Sequence, residues 1–321
     1  MSSRERALAA LHGLAIGDAL GMPTQLHSRG EISMHFGRID GFRDAAPDHP
    51  IAAGMRAGSI TDDTEQALLL AHALIEGDGA LDPEDLAHRL AAWEEGMRGR
   101  GSLDLLGPST RAAVAAVLAG TPASEAGRNG TTNGAAMRVT PVGIAVPSRL
   151  PELVDAVHDS ARVSHDTGIA IAGAAAVAGA VSAGISGASW REAADFGIAC
   201  AREGSTRGRW VAGADVASRI AWALEPRSLD DLIRLNGTSL ASQESVPGAF
   251  GMLALAAGDG WEAALLAANA GGDTDTIAAM AGAIAGACGD EFPAAAIETV
   301  VTVNHLDLGP IVDGLLSLRN R

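Results

Sequence analysis

Apolar residues recur at helical spacing along most of the chain, and this pattern is typical of an all-α protein. Several of the patterned segments begin with helix-start residues, such as Asp82 before Pro83, and Ser228 with Asp231 three positions later. The sequence contains no convincing run of alternating β-branched residues, so no strand is predicted. We therefore predict helices over residues 4–17, 62–76, 83–97, 109–119, 151–162, 167–184, 189–202, 209–223, 228–235, 246–257, 260–269, 275–287, 293–303 and 309–318.

Loops rich in Gly, Asp and Pro separate these segments, and two of them, 21–61 and 120–148, are long for a compact domain. Loops of that length usually carry function or are disordered. Neither a flexible linker nor a shift in composition divides the chain. The sequence therefore predicts one domain over residues 1–321.

The composition indicates a core of small side chains. Hydrophobic residues make up 47% of the sequence and aromatic residues only 3%, with 40 Gly and no Tyr. Such a core suits helices that pack backbone to backbone. The apolar run 169–185 is Ala- and Gly-rich and slightly shorter than the ~20 residues of a membrane span, so it is interpreted as a buried helix.

The net charge of −16 and the lack of a basic run argue against a nucleic-acid partner and against binding to an anionic membrane surface. Cys200 and Cys288 belong to no CxxC or Cys/His cluster, so neither a disulfide framework nor a zinc site is indicated. The N-terminal segment has no long apolar region typical of a secretory signal. We expect a cytoplasmic protein.

Two adjacent carboxylates, Asp62 and Asp63, follow Thr61 at the start of a predicted helix. Thr61 is a good N-cap, and acidic residues in the first turn are favoured by the unpaired amides and the helix dipole. Helix capping alone could therefore explain this cluster. The alternative is that the carboxylates bind something of opposite charge.

A second cluster, Asp273 and Asp275, favours the alternative. The two residues follow Gly271 and Gly272 and precede another small-residue helix, so both can face one point only if Asp273 lies in the loop or at the cap. Together with the hydroxyl groups of Thr61, Thr64 and Thr276, these carboxylates form an all-oxygen set that suits Mg²⁺ or Mn²⁺ rather than zinc. If the two helix starts meet, they could hold two ions roughly 3.5–4 Å apart.

At this point the sequence resembles the ADP-ribosylglycohydrolase family. The pairing of TDDT with GGDTDT is specific, whereas each of the other shared motifs is weaker alone. The matching stretches occur in the family's order over nearly the whole chain: GLAIGDALGMPTQ (13–25), GSITDDTEQAL (58–68), NGAAMRVTPVGI (133–144), SHDTGIAIAGAAAVAGAV (164–181), ESVPGAF (244–250) and GGDTDTIAAMAGAIAGA (271–287).

The resemblance implies a compact, single-domain orthogonal bundle of roughly a dozen helices with a metal-lined cleft. It implies a binuclear Mg²⁺ or Mn²⁺ centre that orients the ribose of an ADP-ribose conjugate and activates a water for attack at the anomeric carbon. The implied metal ligands are Thr61, Asp62, Asp63, Asp273, Asp275 and Thr276.

Further residues are assigned by the same resemblance, each beside a structural alternative. Asn133 and Gly134 would line the ribose and phosphate side, with Gly130 and Gly134 permitting close backbone approach. His165 and Glu244 would lie near the substrate. Asp18 is expected to support the metal site rather than to bind an ion, and Arg138 is expected to be structural.

The chain departs from the family at Gln25, where many members have Glu. Glutamine can bind substrate but cannot act as a base, so this role would move to Asp62 or Asp63. The scarcity of aromatic residues leaves no obvious partner for adenine. Two alternatives therefore stay open: a nucleosidase-like enzyme acting on a small N-ribosyl metabolite, and a non-catalytic protein that binds ADP-ribose or a nucleotide through the metals.

Overall fold

The computed structural model describes residues 1–225 and 227–321. The part of the chain that it describes contains α-helices and no β-strand; the nearest approach to one is a pair of isolated bridges, Thr132 with Ala241 and Thr167 with Arg209. The prediction of an all-α fold is confirmed.

The helices range in length from 3 to 19 residues. The first half of the chain forms α1 (Ser3–Gly21), α2 (Arg29–Phe36), α3 (Asp62–Glu76), α4 (Pro83–Gly99), α5 (Pro108–Leu118), α6 (Ala123–Ala126), α7 (Gly134–Met137), α8 (Thr140–Ala145) and α9 (Leu150–His165). The second half forms α10 (Gly168–Ile185), α11 (Trp190–Gly204), α12 (Val216–Ala223), α13 (Leu229–Asp231), α14 (Ser242–Leu255), α15 (Gly260–Ala268), α16 (Thr274–Ala287), α17 (Ala294–Asn304) and α18 (Leu308–Arg319). A 3-10 turn (Met22–Thr24) extends α1, and a π-helical segment (Leu232–Asn236) continues α13.

Several predicted boundaries are wrong, for identifiable reasons. Helix α12 begins at Val216 rather than at 209, because the side chain of Asp215 caps it and accepts a hydrogen bond from the amide of Ser218 at 2.7 Å. Helix α14 begins at Ser242 rather than at 246, and Pro247 lies inside it. Proline at a second helical position is a common start signal, and the sequence pattern was therefore misleading there.

Four short helices, α2, α6, α7 and α8, lie in the segments predicted as long loops. Three of them span only four to six residues, too few to show a helical period. Helix α2 does have a capping box between Ser28 and Glu31 that the sequence displays. That signal was missed.

The centre of the fold is the contact between α1 and α16. A Cβ atom added to Gly13 would lie 2.2 Å from the carbonyl oxygen of Gly282, and one added to Gly17 would lie 2.1 Å from that of Ala278. No larger side chain fits, so the two backbones touch directly. This packing agrees with the expectation from composition, and it fixes where α16 begins relative to the end of α1.

Helix α10 fills the other side of the core. It is long and apolar enough to cross a membrane by length and composition alone, but 94% of it is buried inside the fold. A core helix passes the same test, so the prediction of a buried helix at this position is confirmed.

Candidate active site

The starts of α3 and α16 meet at one cavity. Its volume is about 230 Å³, and the predicted residues Asp62, Asp63, Asp273, Asp275 and Thr276 all line it. Helix α1 joins the two starts, because a Cβ atom on its Gly21 would lie 2.4 Å from the Cα atom of Asp275, and its Asp18 accepts the amide hydrogen of Thr61 before α3 at 3.0 Å. Two segments more than two hundred positions apart in sequence are thereby brought together.

The bend before α16 has the geometry that the Gly pair predicts. Gly271 and Gly272 have φ values of +77° and +86°, which disfavour other residues. Gly272 exchanges backbone hydrogen bonds with the 26–27 segment, accepting from Leu26 at 2.7 Å and donating to His27 at 2.9 Å. Asp273 consequently lies at the N-cap of α16, where its carboxylate can share a cavity with that of Asp275.

Asp18 organises the start of α3 from behind the cavity. Its buried carboxylate accepts hydrogen bonds from the amide and hydroxyl groups of Thr61, at 3.0 and 2.7 Å, and from those of Thr64, at 3.1 and 2.5 Å. Burial raises the pKa of Asp18 to about 6, against the opposing effect of these bonds. Thr61 and Thr64 do not line the cavity; their hydroxyl protons point to Asp18.

The carboxylates in the cavity repel one another. Burial, followed by the charges of Asp104 and Asp275, raises the pKa of Asp62 well above its ordinary value. The pKa of Asp63 is raised well above its ordinary value by burial and, next, by the charge of Asp275. The pKa of Asp275 is raised in the same way by burial and, next, by the charge of Asp273. Burial also raises the pKa of Asp273 to about 6. A cluster of this kind binds either protons or cations.

Two buried oxygens support the second possibility. Asp63 Oδ1 and Asp275 Oδ1 have no hydrogen-bond partner among the described residues. Carboxylate and hydroxyl oxygens are the donors that Mg²⁺ and Mn²⁺ prefer, so the chemistry of the set fits such an ion. No three His, Cys, Asp or Glu side chains in the described chain are arranged to hold an ion as they stand. Side-chain adjustment would therefore accompany binding.

A further carboxylate in the cavity, Asp104, was missed by the sequence analysis. It lies in the loop between α4 and α5, and its Oδ2 atom accepts the amide hydrogen of Asp62 at 3.1 Å. Burial, followed by the charge of Asp18, raises its pKa to about 7. The only sequence signal was a single acid among leucines in a loop, Leu103, Leu105 and Leu106. Such an acid has no motif to identify it.

Three of the five predicted substrate residues line the cavity: Gln25, Asn133 and Gly134. Gln25 is 4% exposed, and its Nε2 atom has no partner among the described residues. Asn133 donates to Asp273 Oδ2 at 2.5 Å and to Ser245 Oγ at 2.9 Å. Asn133 therefore positions a predicted metal ligand, whatever else it contacts.

The other two predicted substrate residues, His165 and Glu244, do not line the cavity. His165 is fully buried behind Thr132, to which its Nε2 atom is hydrogen-bonded at 2.9 Å. The carboxylate of Glu244 accepts from the amide of Ser239 at 3.1 Å and covers Gly237. This arrangement does not support direct substrate contact by either residue, because Thr132 stands between His165 and the cavity and the carboxylate of Glu244 is hydrogen-bonded to the backbone amide of Ser239.

The glycines of the 130–134 segment serve packing. A Cβ atom on Gly130 would lie 2.0 Å from the carbonyl oxygen of Ser164, and one on Gly134 would lie 2.9 Å from the ring of His165. The sequence predicted that the backbone at these glycines comes close to a ligand. In the structure the backbone comes close to the end of α9 instead. Arg138 is 1% exposed and donates to Ser164 Oγ at 2.6 Å, as expected for a structural residue.

Exposed aliphatic side chains line part of the cavity, together with the exposed Arg111. Leu26, Leu103 and Leu240 line it and are 51%, 59% and 39% exposed. The described lining residues include no aromatic side chain.

Comparison with known proteins identifies the group to which this arrangement belongs. A sequence model of the family described as ADP-ribosylglycohydrolase matches residues 1–320. The chain belongs to the ADP-ribosylglycohydrolase family. The resemblance of the TDDT and GGDTDT motifs to this family is therefore confirmed, and four of the five carboxylates that line the cavity belong to these two motifs.

Individual relatives agree with the family assignment. The chain is 37% identical over 292 residues to the uncharacterized protein YegU of Escherichia coli (strain K12), covering 88% of this chain and 87% of that protein. It is 36% identical over 286 residues to an uncharacterized protein of Archaeoglobus fulgidus, with 88% and 87% covered. It is 31% identical over 170 residues, 51% of this chain and 53% of the relative, to the ADP-ribosyl-(dinitrogen reductase) glycohydrolase of Rhodospirillum rubrum.

A solved structure has the same fold along the whole chain. It is described as an ADP-ribosylglycohydrolase-related protein complex, and it aligns with a TM-score of 0.73 and 25% sequence identity over 99% of both chains.

Proposed function

We propose that this protein hydrolyses an N- or O-glycosidic bond to the ribose of an ADP-ribose conjugate, with ADP-ribosylarginine as the substrate class, and that it requires two Mg²⁺ or Mn²⁺ ions. The observation that carries the proposal is the convergence of Asp62, Asp63, Asp273 and Asp275 on one cavity in a member of a glycohydrolase family. The carboxylates of Asp63, Asp104 and Asp275 are buried in this cavity, and without a cation some of the crowded carboxylates would have to stay protonated.

Residues of the two helix starts would hold the ions. Asp63 and Asp275 each bring an oxygen that has no hydrogen-bond partner within residues 1–225 and 227–321, and Asn133 fixes Asp273 by a short hydrogen bond. When bound, divalent ions of this kind orient a sugar diol and increase the acidity of a coordinated water. The proposed ligands that line the cavity are Asp62, Asp63, Asp273, Asp275 and Thr276; Thr61, also predicted from the sequence, does not line the cavity and donates its hydroxyl hydrogen to Asp18.

Asp104, the cavity carboxylate that is not among the proposed ligands, is suited to accept the proton of the attacking water. Asp62 and Asp63 are the predicted catalytic residues, but both are also proposed ligands. Asp104 lines the same cavity, and no hydrogen bond of the described residues reaches its Oδ1 atom. We assign Asp104 as a further proton acceptor, while the cluster of negative charge stabilises the oxocarbenium character that develops on the ribose.

Release of ADP-ribose from ADP-ribosylarginine tests the proposal. We expect release to require added Mg²⁺ or Mn²⁺ after EDTA treatment and to be lost in Asp62→Asn and Asp275→Asn. The control is Asp155→Asn, which removes an exposed carboxylate that is paired with Arg207. Full activity in the presence of EDTA, or in both cavity variants, would contradict the metal-dependent reaction.

The role of Asp104 is tested separately. Asp104→Asn should lower kcat by roughly 10²–10⁴-fold, the usual contribution of a positioned general base. Mn²⁺ titration by calorimetry should show unchanged stoichiometry. Loss of metal binding in this variant would instead make Asp104 a ligand.

A nucleosidase-like enzyme acting on a small N-ribosyl metabolite is the second candidate. It is favoured by the carboxamide of Gln25 in the cavity and by a lining that includes no aromatic side chain among the described residues, so that none of them can stack on a purine. A substrate panel with the wild type and Gln25→Glu separates the candidates. Faster turnover of small N-ribosides than of ADP-ribosylarginine, by both proteins, would favour this second function.

A further inference from the structure

A chain of hydrogen bonds runs behind the cavity wall and ends on the hydroxyl group of Thr132. Arg138 Nη2 donates to Ser164 Oγ at 2.6 Å, Ser164 Oγ lies 2.8 Å from His165 Nδ1, and His165 Nε2 lies 2.9 Å from Thr132 Oγ1. Arg138, Ser164 and His165 are at most 1% exposed, whereas Thr132 lines the cavity. The chain therefore reaches the substrate space only through Thr132.

The first bond fixes the direction of the second. A guanidinium group has only donors, so Ser164 Oγ must accept from Arg138. The hydroxyl hydrogen of Ser164 then needs an acceptor. Among the described residues, the only other partner of this oxygen is His165 Nδ1, so Nδ1 accepts and carries no hydrogen.

The state of His165 follows. Burial, and next the charge of Arg138, lowers the pKa of His165 well below its ordinary value, so the ring is neutral. A neutral imidazole without hydrogen on Nδ1 carries it on Nε2. His165 consequently donates to Thr132 Oγ1, and the described residues offer no acceptor to the hydroxyl hydrogen of Thr132.

We propose that this chain makes Thr132 a hydrogen-bond donor directed into the cavity, where it binds an acceptor oxygen of the substrate. Arg138, Ser164 and His165 are then positioning residues, which act through Thr132. The identity of the ligand rests on the proposed function, but the direction of the hydrogen bonds does not.

The same guanidinium group reaches the cavity by a second route. Arg138 Nη1 donates to Gln66 Oε1 at 3.4 Å, and Gln66 Nε2 donates to Asp62 Oδ2 at 2.8 Å. Because Arg138 can only donate, it also fixes the orientation of the Gln66 amide. One buried cation thus sets the direction of the hydrogen bonds that reach two lining residues, Thr132 through His165 and Asp62 through Gln66.

Nuclear magnetic resonance tests the direction in the free protein. Long-range ¹H–¹⁵N correlations should show His165 as the Nε2–H tautomer, with no titration between pH 5.5 and 8. The Nδ1–H tautomer, or an imidazolium ion in this range, would overturn the inference. This measurement does not depend on any enzymatic activity.

Calorimetric titration with ADP-ribose in the presence of Mn²⁺ tests the role of Thr132. Thr132→Val should weaken binding about tenfold, the effect of losing one hydrogen bond, whereas Thr132→Ser should bind nearly as the wild type does. Thr131→Val is the control, because Thr131 does not line the cavity. Unchanged affinity in Thr132→Val would overturn the inference.

A double-mutant cycle separates a positioning role of Ser164 from a structural one. Ser164→Ala should weaken ADP-ribose binding in the wild-type background and have no further effect when combined with Thr132→Val. Additive effects would mean that Ser164 acts by another route. If the wild type binds no ADP-ribose at all, the proposed function fails, and the tautomer measurement still decides the direction of the hydrogen bonds.

Discussion

The buried carboxylate of Asp104 allows a quantitative prediction for the metal-free protein. Its pKa is raised to about 7, chiefly by burial, whereas an aspartate in an unfolded chain titrates near 3.9. Between these values the folded protein binds more protons than the unfolded one, so stability falls as the pH rises through this window. The difference of about 3 between the two pKa values corresponds to a loss of folding stability of about 4 kcal/mol. This loss is fully present above about pH 7 and absent below about pH 4.

Replacement by asparagine should remove this cost. The Asn carbonyl oxygen can still accept the amide hydrogen of Asp62, so the hydrogen bond at that position is retained. We therefore expect Asp104→Asn to change the free energy of unfolding little at pH 4 and to increase it by up to about 4 kcal/mol at pH 8.

Urea denaturation in EDTA at pH 4 to 8 measures this difference by linear extrapolation. Asp44→Asn is the matched control, since Asp44 also accepts one backbone amide hydrogen, from Ala57 at 2.7 Å, but is exposed. A stability difference between Asp104→Asn and the wild type that is the same at every pH would refute the reasoning, because it would show that the folded protein does not hold this carboxyl group in its protonated form.

Other predictions concern the metal and the packing. Mn²⁺ at 100 times its Kd should stabilise the wild type by about 2.7 kcal/mol for each ion bound and Asp275→Asn much less, as measured by the shift in the urea midpoint. An equal shift in both proteins would argue against the proposed centre. Gly21→Ala should lower the free energy of unfolding by about 2 kcal/mol or more, because its Cβ atom would lie 2.4 Å from the Cα atom of Asp275. Gly96→Ala, which has open space around it, should be neutral or stabilise by up to about 1 kcal/mol. Similar effects of the two substitutions in denaturation would contradict the packing. Arg319→Met should lower stability by roughly 1.5–3 kcal/mol, because Arg319 donates to the carbonyl oxygens of Val146 and Ser182 at the ends of two helices; an unchanged thermal midpoint would mean that water replaces it.

The sequence by itself predicted the fold class, the family and the pair of acidic helix starts. These features are local: helical periodicity, N-cap residues and the motifs TDDT and GGDTDT are all read within a few positions of the chain. The Gly pair before Asp273 likewise predicted the bend that places this residue at the cap, because glycine has no Cβ atom and adopts the positive φ values of this bend without strain.

The convergence of these segments was decided by tertiary structure. The two clusters lie in one cavity because Gly13, Gly17 and Gly21 let α1 touch α16 along its length, a contact between residues more than two hundred positions apart. Asp104 has no motif and became part of the candidate site only because its loop folds over the start of α3.

His165 shows that a residue in a family motif need not contact the substrate directly. Its place in a family motif indicated a substrate contact, but the ring is covered by Thr132 and bonded to Ser164. The sequence determines which residue type is present at a position. Its burial and its hydrogen-bond partners depend on contacts between segments that are distant in sequence. These contacts decide whether a side chain faces the substrate or supports another side chain that faces it.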